Sequence, residues 1–153
     1  MREIVILDFA LGLVPRLRRF ARLMIADAAR ADAILLTALE GCHIALREAR
    51  DCPGVVRVLF SAAASALERD ARTLDVIPLF NSKGSDDPQL LAAFWSLPYE
   101  ERLAACLLVV EDFDPELASV TSNIPVRTLS VRADRAIARL SGTLPHRNRT
   151  GTR

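Results

Sequence analysis

The chain has 153 residues, of which 51% are hydrophobic and 25% charged, and its net charge at neutral pH is +1. This composition is typical of a globular protein with a core of its own and excludes an intrinsically disordered chain. No apolar run approaches the roughly 18 residues that a membrane-spanning helix needs. The N-terminus also lacks the long apolar region and cleavage site of a signal peptide, so the sequence predicts a cytoplasmic protein without a membrane partner.

The small net charge hides an uneven distribution. Residues 121–153 contain seven arginines and one acidic residue, a net charge of +6, whereas residues 1–120 contain 13 basic and 18 acidic residues, a net charge of −5. A cationic C-terminal end on an acidic body indicates an anionic partner, of which nucleic acid is the first candidate. Charge alone allows a solvated tail equally well.

Three helices are predicted in the first half of the chain. Apolar residues recur at helical spacing in three stretches, separated by a polar start at Asp27 and by the helix-breaking sequence Asp51-Cys52-Pro53-Gly54. The predicted helices cover about 13–24, 27–50 and 55–72. We expect them to pack together as a first domain, residues 1–72.

A linker and two further helices follow. Residues 73–86 have Asn, Ser and Gly at their centre, which is typical of a linker. Asp87-Pro88 combines a capping side chain with a proline in the first helical turn, which predicts a helix start. A short helix is expected over 88–96, and Leu97-Pro98 opens the next, at about 98–111.

The second predicted domain covers residues 87–141. Its last part has the sequence pattern of a helix-turn-helix. Asp114-Pro115 predicts the start of a short helix, and Asn123 suits a tight turn because asparagine tolerates the left-handed backbone region. After Pro125 a longer, arginine-bearing helix is predicted over 126–140, followed by a basic tail, 142–153. The predicted fold class is therefore all-α, with two small helical domains joined by a linker.

Residues 97–140 resemble region 4 of sigma factors of the extracytoplasmic-function (ECF) type. The matching positions are Leu97-Pro98, Glu111-Asp112-Phe113-Asp114 at the turn, Pro125-Val126-Arg127-Thr128-Leu129, and then Arg132, Arg135, Ala136 and Leu140. Residues 13–72 resemble region 2 of the same family through Leu17-Arg18-Arg19-Phe20-Ala21-Arg22 and Ala31-Asp32. The resemblance implies a three-helix region 2-like bundle followed by a region 4-like helix-turn-helix.

The resemblance also implies two sets of contact residues. Those expected to contact DNA or a protein partner are Arg127, Thr128, Ser130, Arg132, Arg135 and Arg139. Those expected to contact polymerase or an anti-sigma factor are Arg18, Arg19, Arg22 and Asp32. Several family contact groups are replaced, because Ala33, Leu36 and Thr37 stand where the family carries a second acid and a Gln-Glu pair.

These replacements indicate a transcription regulator that is not an enzyme and that works as a degenerate sigma mimic. The sigma-like half of the bacterial general stress response regulator binds an anti-sigma factor, and the present chain is similar to it. An anti-sigma factor or similar helical protein is therefore the expected partner. The alternatives are a functional ECF sigma factor, which binds RNA polymerase core and promoter DNA, and a plain helix-turn-helix repressor. No motif calls for a cofactor or a metal ion.

Overall fold

A computed structural model describes residues 2–73 and 88–143 of the chain, with side chains defined for 3–71 and 89–142. All regular elements within these ranges are helices and no strand is present there, which confirms the all-α prediction. Almost all of the predicted linker, 73–86, and of the predicted basic tail, 142–153, lies outside the described residues. The helices are α1 (Arg2–Met24), α2 (Ala28–Gly41), α3 (His43–Glu48), α4 (Cys52–Thr73), α5 (Pro88–Ser96), α6 (Tyr99–Ala105), α7 (Pro115–Ser122) and α8 (Val126–Thr143).

The first two predicted helices differ from the observed ones. α1 starts at Arg2, more than two turns earlier than predicted, and contains Pro15. The second predicted helix is divided at Cys42, whose backbone leaves the helical region at φ −101°, ψ 7°. Gly41 precedes this break, and glycine is the weakest ordinary helix former.

The break predicted at residues 51–54 is present but shorter than expected. α4 starts at Cys52, so Pro53 and Gly54 lie in its first turn. The Asp51 carboxylate accepts a hydrogen bond of 2.8 Å from the Gly54 amide. A capping acid followed by proline in the first turn starts a helix, since proline has no N–H to leave unpaired there.

α6 continues into a π-helical turn, Cys106–Val110, before the chain reverses. Asp112 then adopts φ 52°, in the left-handed region. Aspartate tolerates this region less well than glycine does, but better than most other residues.

The two halves of the chain share one hydrophobic core. α1, α2 and α4 pack against one another, and α8 packs against both α6 and α7. Contacts of α4 with α7 and of α1 with α6 join the two groups. The Phe60 ring lies at their junction, 5.4 Å from the Phe20 centroid and 4.9 Å from that of Phe113. Both distances are in the range of favourable aromatic pairs, so the halves are docked.

No helix in the described part of the chain combines the length and the apolar character needed to cross a bilayer.

The turn between α7 and α8 gives a test of the backbone argument. Asn123 is exposed and adopts φ 57°. Replacing Asn123 with alanine should lower the free energy of unfolding by about 1 kcal/mol. Alanine is strained in the left-handed region, and it lacks the short polar side chain with which asparagine can form a local hydrogen bond there. The control, Asn123→Gly, should leave stability nearly unchanged. Urea unfolding of the three proteins measures the difference, and an alanine variant as stable as the glycine variant would contradict the explanation.

Candidate functional site

The predicted helix-turn-helix is formed by α7, the turn at Asn123 and α8. The Asp114 side chain caps α7 by accepting from the Glu116 amide at 3.3 Å. Ser119 donates a 2.7 Å hydrogen bond to the Ile124 carbonyl, and Ser122 donates one of the same length to the Ala118 carbonyl. The Ser119 bond spans the turn and helps to fix it, whereas the Ser122 bond lies within α7.

The outward face of α8 carries a mixed set of side chains. Arg127 and Arg135 are exposed, but so are Asp134 and Val131 on the same face. The opposite face, including Leu129, is buried against the core. Of the other predicted contact residues, Thr128 and Ser130 are half-buried at the edges of the exposed face.

The other two predicted arginines of α8 form ion pairs within the chain. Arg132 lies 3.1 Å from the Glu100 carboxylate. Arg139 lies 3.1 Å from the carboxylate of Glu101, which is buried. Both acids belong to the first turn of α6, so these ion pairs fasten α8 to α6. Of the six predicted residues, two are exposed, two are half-buried and two are paired with α6.

The predicted contact residues of the first half lie close together. Arg18 on α1 donates to Asp32 on α2 at 2.9 Å, and Arg22 donates to the same carboxylate at 2.9 Å. These two hydrogen bonds lower the pKa of Asp32 to about 2, and the same contact raises the pKa of Arg18. The single retained acid of the sigma pattern is therefore ionised and paired with two guanidinium groups.

A second pair of α1 arginines reaches across to the other half. Arg16 and Arg19 each lie 2.9 Å from the Glu111 carboxylate. The Glu111 side chain is 0% exposed, whereas those of Arg16 and Arg19 are 40% and 51% exposed. The Arg16 guanidinium also lies over the Phe60 ring, 5.7 Å from its centroid. Sequence reasoning placed Glu111 only in a turn motif, and the i, i+3 spacing of the two arginines was the available signal.

A groove of about 470 Å³ lies between α1 and α5. Its residues are apolar side chains and three of the α1 arginines; they are Val14, Pro15, Arg18, Arg19, Arg22, Leu23, Leu91 and Trp95. We call this the arginine groove. Trp95 is half-buried there, and its indole N–H donates to the Arg22 carbonyl at 3.3 Å.

Arg102 fixes α6 against the end of α1. Its guanidinium donates to the Met24 carbonyl at 2.8 Å and lies 5.9 Å from the Tyr99 ring centroid. Burial lowers the pKa of this group. A cation at the negative end of a helix dipole is favourable, so Arg102 helps to hold α6 against the C-terminal end of α1.

Two solved structures are similar to this fold, both from Bartonella quintana. One is the anti-anti-sigma factor PhyR complexed with the anti-sigma factor NepR, with a TM-score of 0.60 and 21% sequence identity over 88% of this chain and 49% of that one. The other is the sigma factor RpoE in complex with NepR, with a TM-score of 0.65 and 19% identity over 89% of this chain and 96% of that one. The chain therefore has a sigma-factor-like fold and spans about half the length of the PhyR chain.

No protein-family model matches the sequence, and no curated protein matches it.

The lowered pKa of Asp32 predicts a pH dependence of stability. Because its pKa in the folded state, about 2, lies below its usual value of 3.8, the contribution is present above about pH 4 and is lost as the pH falls towards 2. The pair is exposed, so this contribution should stay below about 1 kcal/mol. The Tm difference between the wild type and Asp32→Asn should shrink between pH 6 and pH 3, and a difference that grows at low pH would refute this origin.

The Glu111 ion pairs predict that removing the two arginines lowers stability more than removing the carboxylate does. Removing both arginines in Arg16→Met/Arg19→Met leaves a buried, unpaired carboxylate and should cost about 3 kcal/mol. Glu111→Gln leaves arginines that can rehydrate and should cost less. Adding Glu111→Gln to the double variant should recover part of the loss, which urea unfolding measures. The exposed pair gives the control, since Arg18→Met/Arg22→Met should cost under about 1 kcal/mol; equal losses in the two double variants would contradict the burial argument.

Proposed function

We propose that this chain is a sigma-like transcription regulator that acts as a sigma mimic and captures an anti-sigma factor. The observation that carries the proposal is the internal pairing of the charged groups that a sigma factor would present to polymerase and DNA. Asp32 is held by Arg18 and Arg22, and two arginines of α8 pair with α6. The Asp32 carboxylate and the two paired arginines of α8 are therefore poor candidates for contacts with polymerase or phosphates.

The exposed face of α8 supports a protein partner over DNA. Arg127, Arg135 and Asp134 together give this exposed face a net charge of +1. DNA affinity depends on the number of phosphates that a protein neutralises, and an acid in the middle of the face opposes phosphate approach. Exposed Val131 adds apolar surface, which a protein partner can cover.

The docked arrangement of the two halves also supports capture of a protein. As a sigma factor, the chain would place α8 in the upstream promoter element while the first half engaged polymerase and melted DNA. Separating the halves to do so would expose the Phe60–Phe113 contact and the buried Glu111. Binding in the docked state avoids this cost. In both similar structures the sigma-like protein is bound to NepR, which supports an anti-sigma factor as the partner.

A functional ECF sigma factor is the second candidate. Arg127 and Arg135 are exposed on the helix that follows the left-handed turn, where a helix-turn-helix reads DNA. Two such arginines can hold phosphates of a promoter, which is the observation in favour of this function.

Two assays test the proposal, and the second of them separates the two candidates. The first is calorimetric titration of the purified chain with purified anti-sigma proteins of its own genome, in which a mimic gives saturable 1:1 binding with a Kd of about 1 μM or tighter. The second is run-off transcription with core polymerase, in which a mimic yields no promoter-specific product. A genuine ECF sigma factor of the same genome is the positive control. A specific run-off product, or no binding to any anti-sigma protein, would overturn the proposal.

A further inference from the structure

The outward side of α1 carries a second apolar stripe besides the one that faces the core. Ile4, Leu7 and Leu11 are 66%, 55% and 59% exposed. Their i, i+3, i+7 spacing places them on one helix face, and Val14 follows at the next position of the same series. The core-facing stripe of α1, which includes Leu13 and Leu17, is separate and buried. Within the part of the chain that the structure describes, α1 thus has an apolar face that is left largely exposed over its first three turns.

This stripe is continuous with the arginine groove. Val14 and Pro15 line the near end of the groove, and Leu91 and Trp95 form its far wall on α5. Arg18 and Arg22 extend the same α1 face by two further positions. From Ile4 to Arg22 the face measures about 27 Å at 1.5 Å per residue, which is the length of an 18-residue helix.

The positive charge at the C-terminal end of this α1 face indicates which kind of partner residue binds there. Arg16, Arg18, Arg19 and Arg22 share two carboxylates, Asp32 and Glu111, so the cluster has a net charge of +2. Each guanidinium has five N–H donors in a fork that matches a carboxylate. Since the side chains of Arg18 and Arg22 are half-exposed, donors remain for an incoming acid.

We infer that this face of α1, together with the arginine groove, is the docking site for an amphipathic helix of the captured partner. The helix lays its apolar side along Ile4, Leu7, Leu11 and Val14. Its acidic residues, about one turn apart, lie over Arg18 and Arg22. The inference rests on the proposed function and assigns it a surface and a partner chemistry.

Trp95 is the one tryptophan of the chain and lines the groove, so its fluorescence reports occupancy of the site. The probe is an anti-sigma protein of the same genome that binds in the calorimetric titration, with its own tryptophans replaced by phenylalanine. Its binding should shift the Trp95 emission with the same midpoint as the heat.

Matched variants locate the contact. Leu11→Ser should weaken binding roughly tenfold or more, because an exposed leucine that becomes buried on binding contributes at least this much. Ile44 is similarly exposed, at 62%, and lies on α3, so Ile44→Ser should bind as the wild type does. Arg22→Gln should weaken binding several-fold, whereas Arg47→Gln on α3, which packs on α2 and α4, should not.

The outcomes separate the docking site from the proposed function. Heat of binding without a Trp95 response, together with equal affinities of Leu11→Ser and Ile44→Ser, would overturn the docking site and leave anti-sigma capture standing. No heat with any anti-sigma protein would refute the capture itself. A dimer of the free chain in sedimentation that Leu11→Ser dissociates would assign the stripe to a second copy and overturn the inference.

Discussion

The buried carboxylate of Glu111 is the contact on which the arrangement of this molecule depends. It is fully enclosed and receives two arginines from α1. A buried carboxylate is tolerated only when it is paired and hydrogen-bonded, so the end of α6 and the middle of α1 must stay together. The aromatic contacts of Phe60 with Phe20 and Phe113 surround the same junction. Apolar packing at this junction stabilises the contact between the two halves, and the ion pairs fix their relative position.

In the docked arrangement, several charged residues of the sigma-like pattern have partners within the chain and not the external contacts that the pattern assigns to them. The pattern assigns charged residues of the first helices to polymerase and those of the last helix to DNA. In the folded chain, Asp32 is satisfied by α1, and Arg132 and Arg139 are satisfied by α6. The arginines of α1 and the side chains of α5 instead form a groove with apolar walls and a surplus of positive charge. Such a surface is suited to an acidic, amphipathic protein segment more than to a polynucleotide.

Local rules predicted the parts of the fold that neighbouring residues decide. Asp114-Pro115 does start a helix, and Asn123 does adopt the left-handed turn. Local rules were wrong where two signals competed. At Cys52-Pro53-Gly54 the breaker residues were assigned to a loop, yet Asp51 caps the helix and the proline suits its first turn. The sequence pattern did not predict that α1 starts at Arg2, because the apolar residues before Leu13 do not lie on a single face of a helix.

The sequence by itself determined an all-helical chain, the helix starts at Pro88 and Pro115 and the sigma-like order of elements, because capping, periodicity and left-handed turns act over a few residues. Only the tertiary structure decided that the halves are docked and that Arg16 and Arg19 meet a carboxylate 95 and 92 residues away. It also decided that Trp95 lines a groove and is not wholly buried. Contacts of this separation depend on how whole helices pack, and no local pattern encodes which arginine faces which acid.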